Sequence, residues 1–140
     1  MFGTHKIPPD ELGDFAAIIS GDIEQKGELE ILNSGMNVSS QVLELGHHGS
    51  RTSSSREWLQ AVNPKFVFWQ AGEDNQYGHP HAETIMILEE LNIPYMGTAT
   101  HGNITINADR DGSFSVNGKS FEETETIFLL GVMMLLLSDE

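Results

Sequence analysis

Three polar clusters along the chain carry residue types that could bind a metal ion. They are Gly21-Asp22, His47-His48-Gly49-Ser50 and Tyr77-Gly78-His79-Pro80-His81. Imidazole and carboxylate groups together are the donors that suit Zn²⁺ and Mn²⁺. A metal held by them with one open position would lower the pKa of a bound water and supply hydroxide near neutral pH. By themselves the clusters indicate a His/Asp metal site.

Each cluster taken alone also has a structural explanation. Asp22 after a strand is a common turn carboxylate, and His79 before Pro80 could cap a helix. The pair His47-His48 is less ordinary, since two imidazoles beside a glycine serve no evident packing purpose. The three clusters together favour a site over three separate structural roles.

The elements around the clusters predict an α/β fold. Short apolar runs at 15–20, 42–45, 66–69 and 95–98 read as strands, and the run at 66–69 is apolar on both sides. Helices are predicted at 23–32, after the caps Ser53–Ser55 with Trp58, Leu59 and Val62 on one face, and from Pro80 with His79 as cap. Residues 102–106 and 113–116 predict a terminal hairpin. Strands that alternate with helices are typical of a sheet buried on both faces, and each cluster follows the end of an element, where sites assemble in such sheets.

Composition excludes several function classes. The 140 residues allow one domain, and 39% hydrophobic residues favour a folded globule. Without cysteine there is no disulfide, thiol catalysis or Cys-ligated zinc. The formal charge of −14 disfavours tracking along duplex DNA. Arg51, Arg56 and Lys65 lie in a stretch whose one acid is Glu57, which suggests a local basic rim for a small phosphate-bearing substrate or a strand end.

Four blocks in one order resemble a known family. They are Gly21-Asp22-Ile23-Glu24, His47-His48-Gly49-Ser50-Arg51-Thr52-Ser53-Ser54, Asn63-Pro64-Lys65 and Asn75-Gln76-Tyr77-Gly78-His79-Pro80-His81. Their order resembles the metallo-β-lactamase-fold domain of ComEC/Rec2-type competence proteins, over residues 15–116. The resemblance implies an αββα sandwich and a metal-dependent hydrolase that acts on phosphodiester or related bonds. In that family the domain is proposed to degrade the non-transforming DNA strand during uptake.

The resemblance also implies roles for individual residues. Asp22 matches the carboxylate that bridges two metals, and His48 matches a late ligand histidine, with His47 beside it as a further metal-site residue. His79 matches the histidine of the Gly-His-Pro block, which points into the site as a substrate or proton-transfer contact. Ser50, Arg51 and His81 are predicted to contact the substrate.

The sequence departs from the family in one important respect. The main metal motif of the fold, His-x-His-x-Asp-His, does not occur in it. We therefore expect residues 1–126 to be the C-terminal half of such a domain, with Zn or Mn bound weakly or not at all, and 127–140 to be an apolar tail. The alternatives are a non-catalytic remnant that acts as an assembly or binding module and, less favoured, an unrelated α/β domain.

Partners and location follow from the same reasoning. A half-domain should associate with itself or with a partner that supplies the missing half. Neither a signal peptide nor an apolar run long enough for stable membrane insertion occurs, so the chain as written is expected in the cytoplasm, although ComEC-type relatives are attached to membranes.

Overall fold

Short, largely apolar segments form the parallel strands of the central sheet, and their buried side chains pack on both faces. The computed structural model describes residues 5–6 and 13–121. The central sheet contains β1 (His5–Lys6), β2 (Ala17–Ile19), β3 (Val42–Glu44), β4 (Phe66–Trp69) and β5 (Tyr95–Gly97), in that spatial order. Strands β2 to β5 are parallel, and β1 pairs with β2 in the antiparallel sense.

Helices connect the parallel strands and cover one face of the sheet. They are α1 (Gln25–Asn33), α2 (Arg56–Val62) and α3 (Ala82–Glu90), and a single turn, α4 (Thr98–His101), follows β5. On α2, Ser55 caps the N-terminus by accepting a hydrogen bond from the Trp58 amide, as the serine run predicts. Trp58, Leu59 and Val62 are buried against Val67 and Trp69 of β4.

A second sheet covers the other face. It consists of β6 (Ile106–Ala108), β7 (Phe114–Val116) and β8 (Lys119–Ser120), all antiparallel. The predicted hairpin is confirmed, but its first strand lies at 106–108 instead of 102–106, and a third strand follows. Phe114, Val116 and Phe121 pack against Phe66 and Val42. The fold is thus the predicted α/β sandwich. The described residues form three layers, helix–sheet–sheet, and the αββα arrangement stays a prediction.

The prediction for the start of α3 was wrong. The helix begins at Ala82, with His81 rather than His79 in the cap position and Pro80 before the helix. The reason is tertiary: the His81 amide donates to the Gly49 carbonyl at 3.0 Å, which holds this segment extended against the His47–Gly49 turn. On this helix Thr84 and Leu88 are buried, whereas Met86 is 56% exposed.

Two predictions concern residues outside the described range. The boundary at residue 126 and the tail 127–140 both lie outside the range that the structure describes. Within that range, no helix has the length and apolar composition to cross a membrane.

Candidate functional site

The polar clusters meet at the carboxyl edge of the parallel sheet. Gly21-Asp22 follows β2, and the His47-His48 turn follows β3, its neighbour in the sheet, where Ile19 pairs with Glu44. Parallel strands end at the same edge, so residues distant in sequence are placed side by side there. The amide of His47 donates to the Gly21 carbonyl at 2.7 Å, which ties the two loops together directly.

The turn Gly46–Gly49 has an unusual backbone. His47 and His48 both lie in the left-handed region, with φ of 50° and 57°. Consecutive left-handed residues other than glycine are costly and persist only where the surroundings enforce them, most often at functional sites. Here the Gly46 amide donates to Ser54 Oγ at 3.1 Å and the Ser50 amide donates to the His47 carbonyl at 3.0 Å. The fold therefore maintains strain at the two residues predicted to bind a metal.

Three imidazoles surround one point at this edge. The His79 ring lies 5.5 Å from His47 and 6.1 Å from His48, measured between centroids, and the latter two are 6.3 Å apart. Partial burial lowers the pKa of His79, and the nearby His81, His47 and His48 lower it further by charge repulsion. His79 is thus favoured as a neutral imidazole that can accept a proton.

The His48 ring is oriented by a hydrogen bond at Nδ1, whereas Nδ1 of His47 is buried and has no hydrogen-bond partner among the described residues. Nδ1 of His48 lies 2.7 Å from the Gln70 carbonyl, and Nδ1 of His47 lies 3.6 Å from Oε1 of Glu24. The first contact is a hydrogen bond, whereas the second is too long for one and becomes an ion pair when His47 is protonated. Histidine ligands of metals are commonly oriented in this way, because it leaves Nε2 for the metal.

His81 has a different environment from the other histidines. Its Nδ1 accepts the Arg51 amide at 2.9 Å, and its Nε2 lies 3.1 Å from the Tyr77 carbonyl. Since Nδ1 accepts, Nε2 carries the proton and donates to Tyr77. Both nitrogens are therefore engaged within the protein, and the ring joins the 77–81 loop to the turn after His48.

The other predicted substrate residues also make internal contacts. Ser50 is buried, and its Oγ lies 2.9 Å from Oγ1 of Thr52. The Arg51 guanidinium lies 3.8 Å from Glu83, and Arg56 pairs with Glu90, both acids on α3. Because α3 packs beside this segment, two of the three cations of the expected basic rim face acids.

Two glutamates at the site were not predicted from the sequence. Glu44 ends β3 and accepts hydrogen bonds from the Gly21 amide and from Nε2 of Gln70, the latter at 3.3 Å. The charges of His48 and Asp22 both act on its pKa. Partial burial raises its pKa. A carboxylate inside the apolar run Val42-Leu43-Glu44-Leu45 was the available signal for it. Glu24, which faces His47, stood in the Gly-Asp-Ile-Glu block without an assigned role.

The described side chains alone do not complete a metal site. The donor types, imidazole and carboxylate, fit Zn²⁺ or Mn²⁺. Yet within residues 5–6 and 13–121 no group of three or more His, Asp or Glu is arranged to hold an ion. The assignments of Asp22, His47 and His48 as ligands stay predictions.

Comparison with known proteins places these residues in context. The chain is 37% identical to ComE operon protein 3 of Bacillus subtilis over 107 residues, 76% of this chain and 14% of that protein. It is 46% identical to competence protein ComA of Neisseria gonorrhoeae over 69 residues, 49% of this chain and 10% of the relative. These two relatives are competence proteins. Recombination protein 2 of Haemophilus influenzae matches at 29% over 99 residues, 71% of this chain and 12% of that protein.

The extent of these matches limits what they show. The chain spans at most about a seventh of the length of these competence proteins. No known family profile matches it. The resemblance to competence proteins is confirmed, whereas the metallo-β-lactamase fold and the activity of the whole relatives are not established for this chain.

Proposed function

We propose that this chain forms part of a metal-dependent phosphodiester hydrolase centre that serves DNA uptake. The observation that carries the proposal is that the rings of His47, His48 and His79 lie together at the carboxyl edge of the sheet. His47 and His48 are on a turn that is held in a left-handed conformation. Strain of this kind is retained where a function requires it. The competence relatives support DNA as the substrate class.

The residues divide into distinct roles in this proposal. Asp22 and His48 bind the metal, with His47 as a further ligand, and the Gln70 carbonyl orients the His48 ring. His79, favoured as the neutral form, accepts a proton or contacts a phosphate oxygen. The His81 ring joins the 77–81 loop to Arg51, and Ser50, Arg51 and His81 contact the substrate. A bound Zn²⁺ or Mn²⁺ would polarise a phosphoryl oxygen and acidify a water.

Further ligands must come from outside the described residues. A catalytic metal needs about three protein ligands and an open position. The described part of the chain holds no such group. We propose that another polypeptide segment, of this protein or of a partner, supplies the remainder, so that hydrolysis by the 140 residues alone is weak or absent.

Metal-dependent stabilisation tests the placement of the site. Because a ligand that binds only the folded state stabilises it, Zn²⁺ or Mn²⁺ at tens of micromolar should raise the free energy of unfolding by about 1 kcal/mol or less. His48→Ala and Asp22→Ala should each abolish this increment in thermal unfolding, whereas His101→Ala, an exposed histidine on α4, should leave it unchanged. An increment that survives both ligand substitutions would show that the metal lies elsewhere.

A cleavage assay tests whether the catalytic site lacks ligands when only these 140 residues are present. Single-stranded oligonucleotide incubated with the chain and Mn²⁺ should show little cleavage above a chelated control. Rapid, chelator-sensitive cleavage by these 140 residues would show that the site is complete without further ligands.

A non-catalytic assembly module is the second candidate. The absence of a three-residue metal group in the described range favours it. It predicts no metal-dependent stabilisation at all, which separates it from the hydrolase proposal in the first of these experiments.

A further inference from the structure

A cavity of about 510 Å³ opens beside the imidazoles of His48 and His79. Its size is within the range of about 300–1,000 Å³ that is typical of small-molecule sites. It lies on the β4 side of the histidines and is not among the features that the sequence predicted. The residues that line it are His48, Gln70, Ala71, Gly72, Asn75, Tyr77, His79 and Thr98.

Most polar side chains of this cavity already have partners in the protein. Asn75 donates through Nδ2 to the carbonyls of Gly72 and His79 and accepts the His79 amide through Oδ1. Thr98 Oγ1 bonds to both the amide and the carbonyl of Ala71. These groups shape the wall, and a ligand here gains more from surface contact than from hydrogen bonds to them.

Tyr77 provides such a surface. It is 66% exposed, a large value for an aromatic residue on an ordered loop. Its ring lies nearly parallel to that of His79, with centroids 5.6 Å apart and 24° between planes. The loop is held by the Asn75 bonds and by Nε2 of His81, which donates to the Tyr77 carbonyl. An aromatic ring held in place beside the imidazoles and largely open to solvent is suited to stacking on a flat ligand ring.

We propose that Tyr77 is a stacking platform for one nucleobase of a single-stranded nucleic acid whose neighbouring phosphate lies at the imidazoles. The proposal rests on the proposed function and names its substrate class. Every base has a π-face, so stacking on an aromatic side chain binds single strands with little sequence preference. In a duplex the bases are stacked on each other and unavailable, and the net charge of −14 further disfavours two phosphate backbones.

Calorimetric titration with two strands of equal charge tests the platform. The full chain is titrated in the presence of EDTA with an oligothymidylate of about ten nucleotides and with an abasic strand of the same length. Wild-type protein should bind the oligothymidylate more tightly. Tyr77→Ala should weaken that binding by about fivefold or more and leave the abasic strand unaffected, whereas Tyr77→Phe should stay within about twofold of wild type.

A matched control removes another exposed apolar side chain. Met86→Ala, on the outer face of α3, should leave both affinities unchanged. Equal binding of the two strands by wild-type protein, or equal weakening of both by Tyr77→Ala, would overturn the platform. Because EDTA is present, this result does not depend on metal binding. Failure of the platform would leave the stabilisation by metal intact, and failure of the metal site would leave the base-dependent binding intact.

Discussion

His47 and His48 should respond to substitution in a way that reveals backbone strain. A left-handed conformation costs an L-residue about 1–2 kcal/mol, and glycine avoids this cost. We expect His48→Gly to be more stable than His48→Ala by about 1 kcal/mol in urea denaturation, and the same order at His47. At His101, in helix α4, the order should reverse because glycine is the poorer helix former. Equal stability of the two His48 variants would contradict strain at this turn.

Glu28 should make the stability of the protein depend on pH. The side chain is buried on α1 and accepts the amides of Ser54 and Ser55, which lead into α2. Burial raises its pKa above the ordinary value of 4.5, despite these hydrogen bonds. The native state therefore holds the proton more tightly than the unfolded state. This contribution to stability is complete below pH 4.5 and is lost as the pH rises through the raised value.

Glu28→Gln tests this dependence. Since glutamine does not titrate, the unfolding free energy of the variant should fall less steeply than that of the wild type as the pH rises above about 4.5, and the part of the fall that is due to Glu44 should remain. Urea denaturation at successive pH values measures the slope. Glu30→Gln, at an exposed position of the same helix, should keep the wild-type slope. Identical slopes for Glu28→Gln and wild type would contradict the raised pKa.

At the scale of elements, the contact between β5 and β4 depends on one glycine. A Cβ placed on Gly97 would lie 2.5 Å from the indole of Trp69, which is buried against the helices. A rigid buried ring cannot move aside cheaply, so Gly97→Ala should destabilise the protein by about 1–3 kcal/mol. Gly72 has nothing within 4 Å of its added Cβ, and Gly72→Ala should be nearly neutral in the same denaturation experiment. A neutral Gly97→Ala would show that β5 can shift away from β4.

At the scale of the whole molecule, the self-association expected of a half-domain would need an exposed apolar face, and β4 does not supply one. Phe66 and Trp69 are in fact buried by the second sheet and by the helices of the same chain, so they do not form an exposed face. The exposed large hydrophobics that the structure describes lie on five different strands, helices and loops: Ile19, Leu29, Met36, Tyr77 and Met86. The prediction of self-association therefore depends on the apolar run 127–137, which lies outside the described residues.

Sedimentation velocity can test this prediction. We expect the full chain to form a dimer or larger species at high micromolar concentration. Leu130→Glu combined with Leu135→Glu should produce a monomer, because charges oppose burial of the run. Met86→Glu, which places a charge on α3, should not change the distribution. A stable, compact wild-type monomer at this concentration would contradict the prediction.

The local pattern of the chain determined most of its elements. Uninterrupted apolar runs such as 66–69 fit only strands buried on both faces, and the serines before Trp58 supply a helix cap. Because parallel strands end at one edge, the positions of Asp22 and His48 after adjacent strands also predicted that they would lie near each other. These features depend on residue type and short-range spacing, which a sequence shows directly.

Tertiary structure alone decided how the site is arranged. The hydrogen bond between the His81 amide and the Gly49 carbonyl is the reason that α3 begins at Ala82. The hydrogen bonds around Gly46–Gly49 hold His47 and His48 in left-handed conformations that their residue types disfavour. The roles of Glu24, Glu44 and Gln70 as partners of the site loops, and the cavity beside Tyr77, depend on contacts between segments more than twenty residues apart. Such contacts depend on the packing of the whole chain, so they cannot be predicted from local sequence propensity.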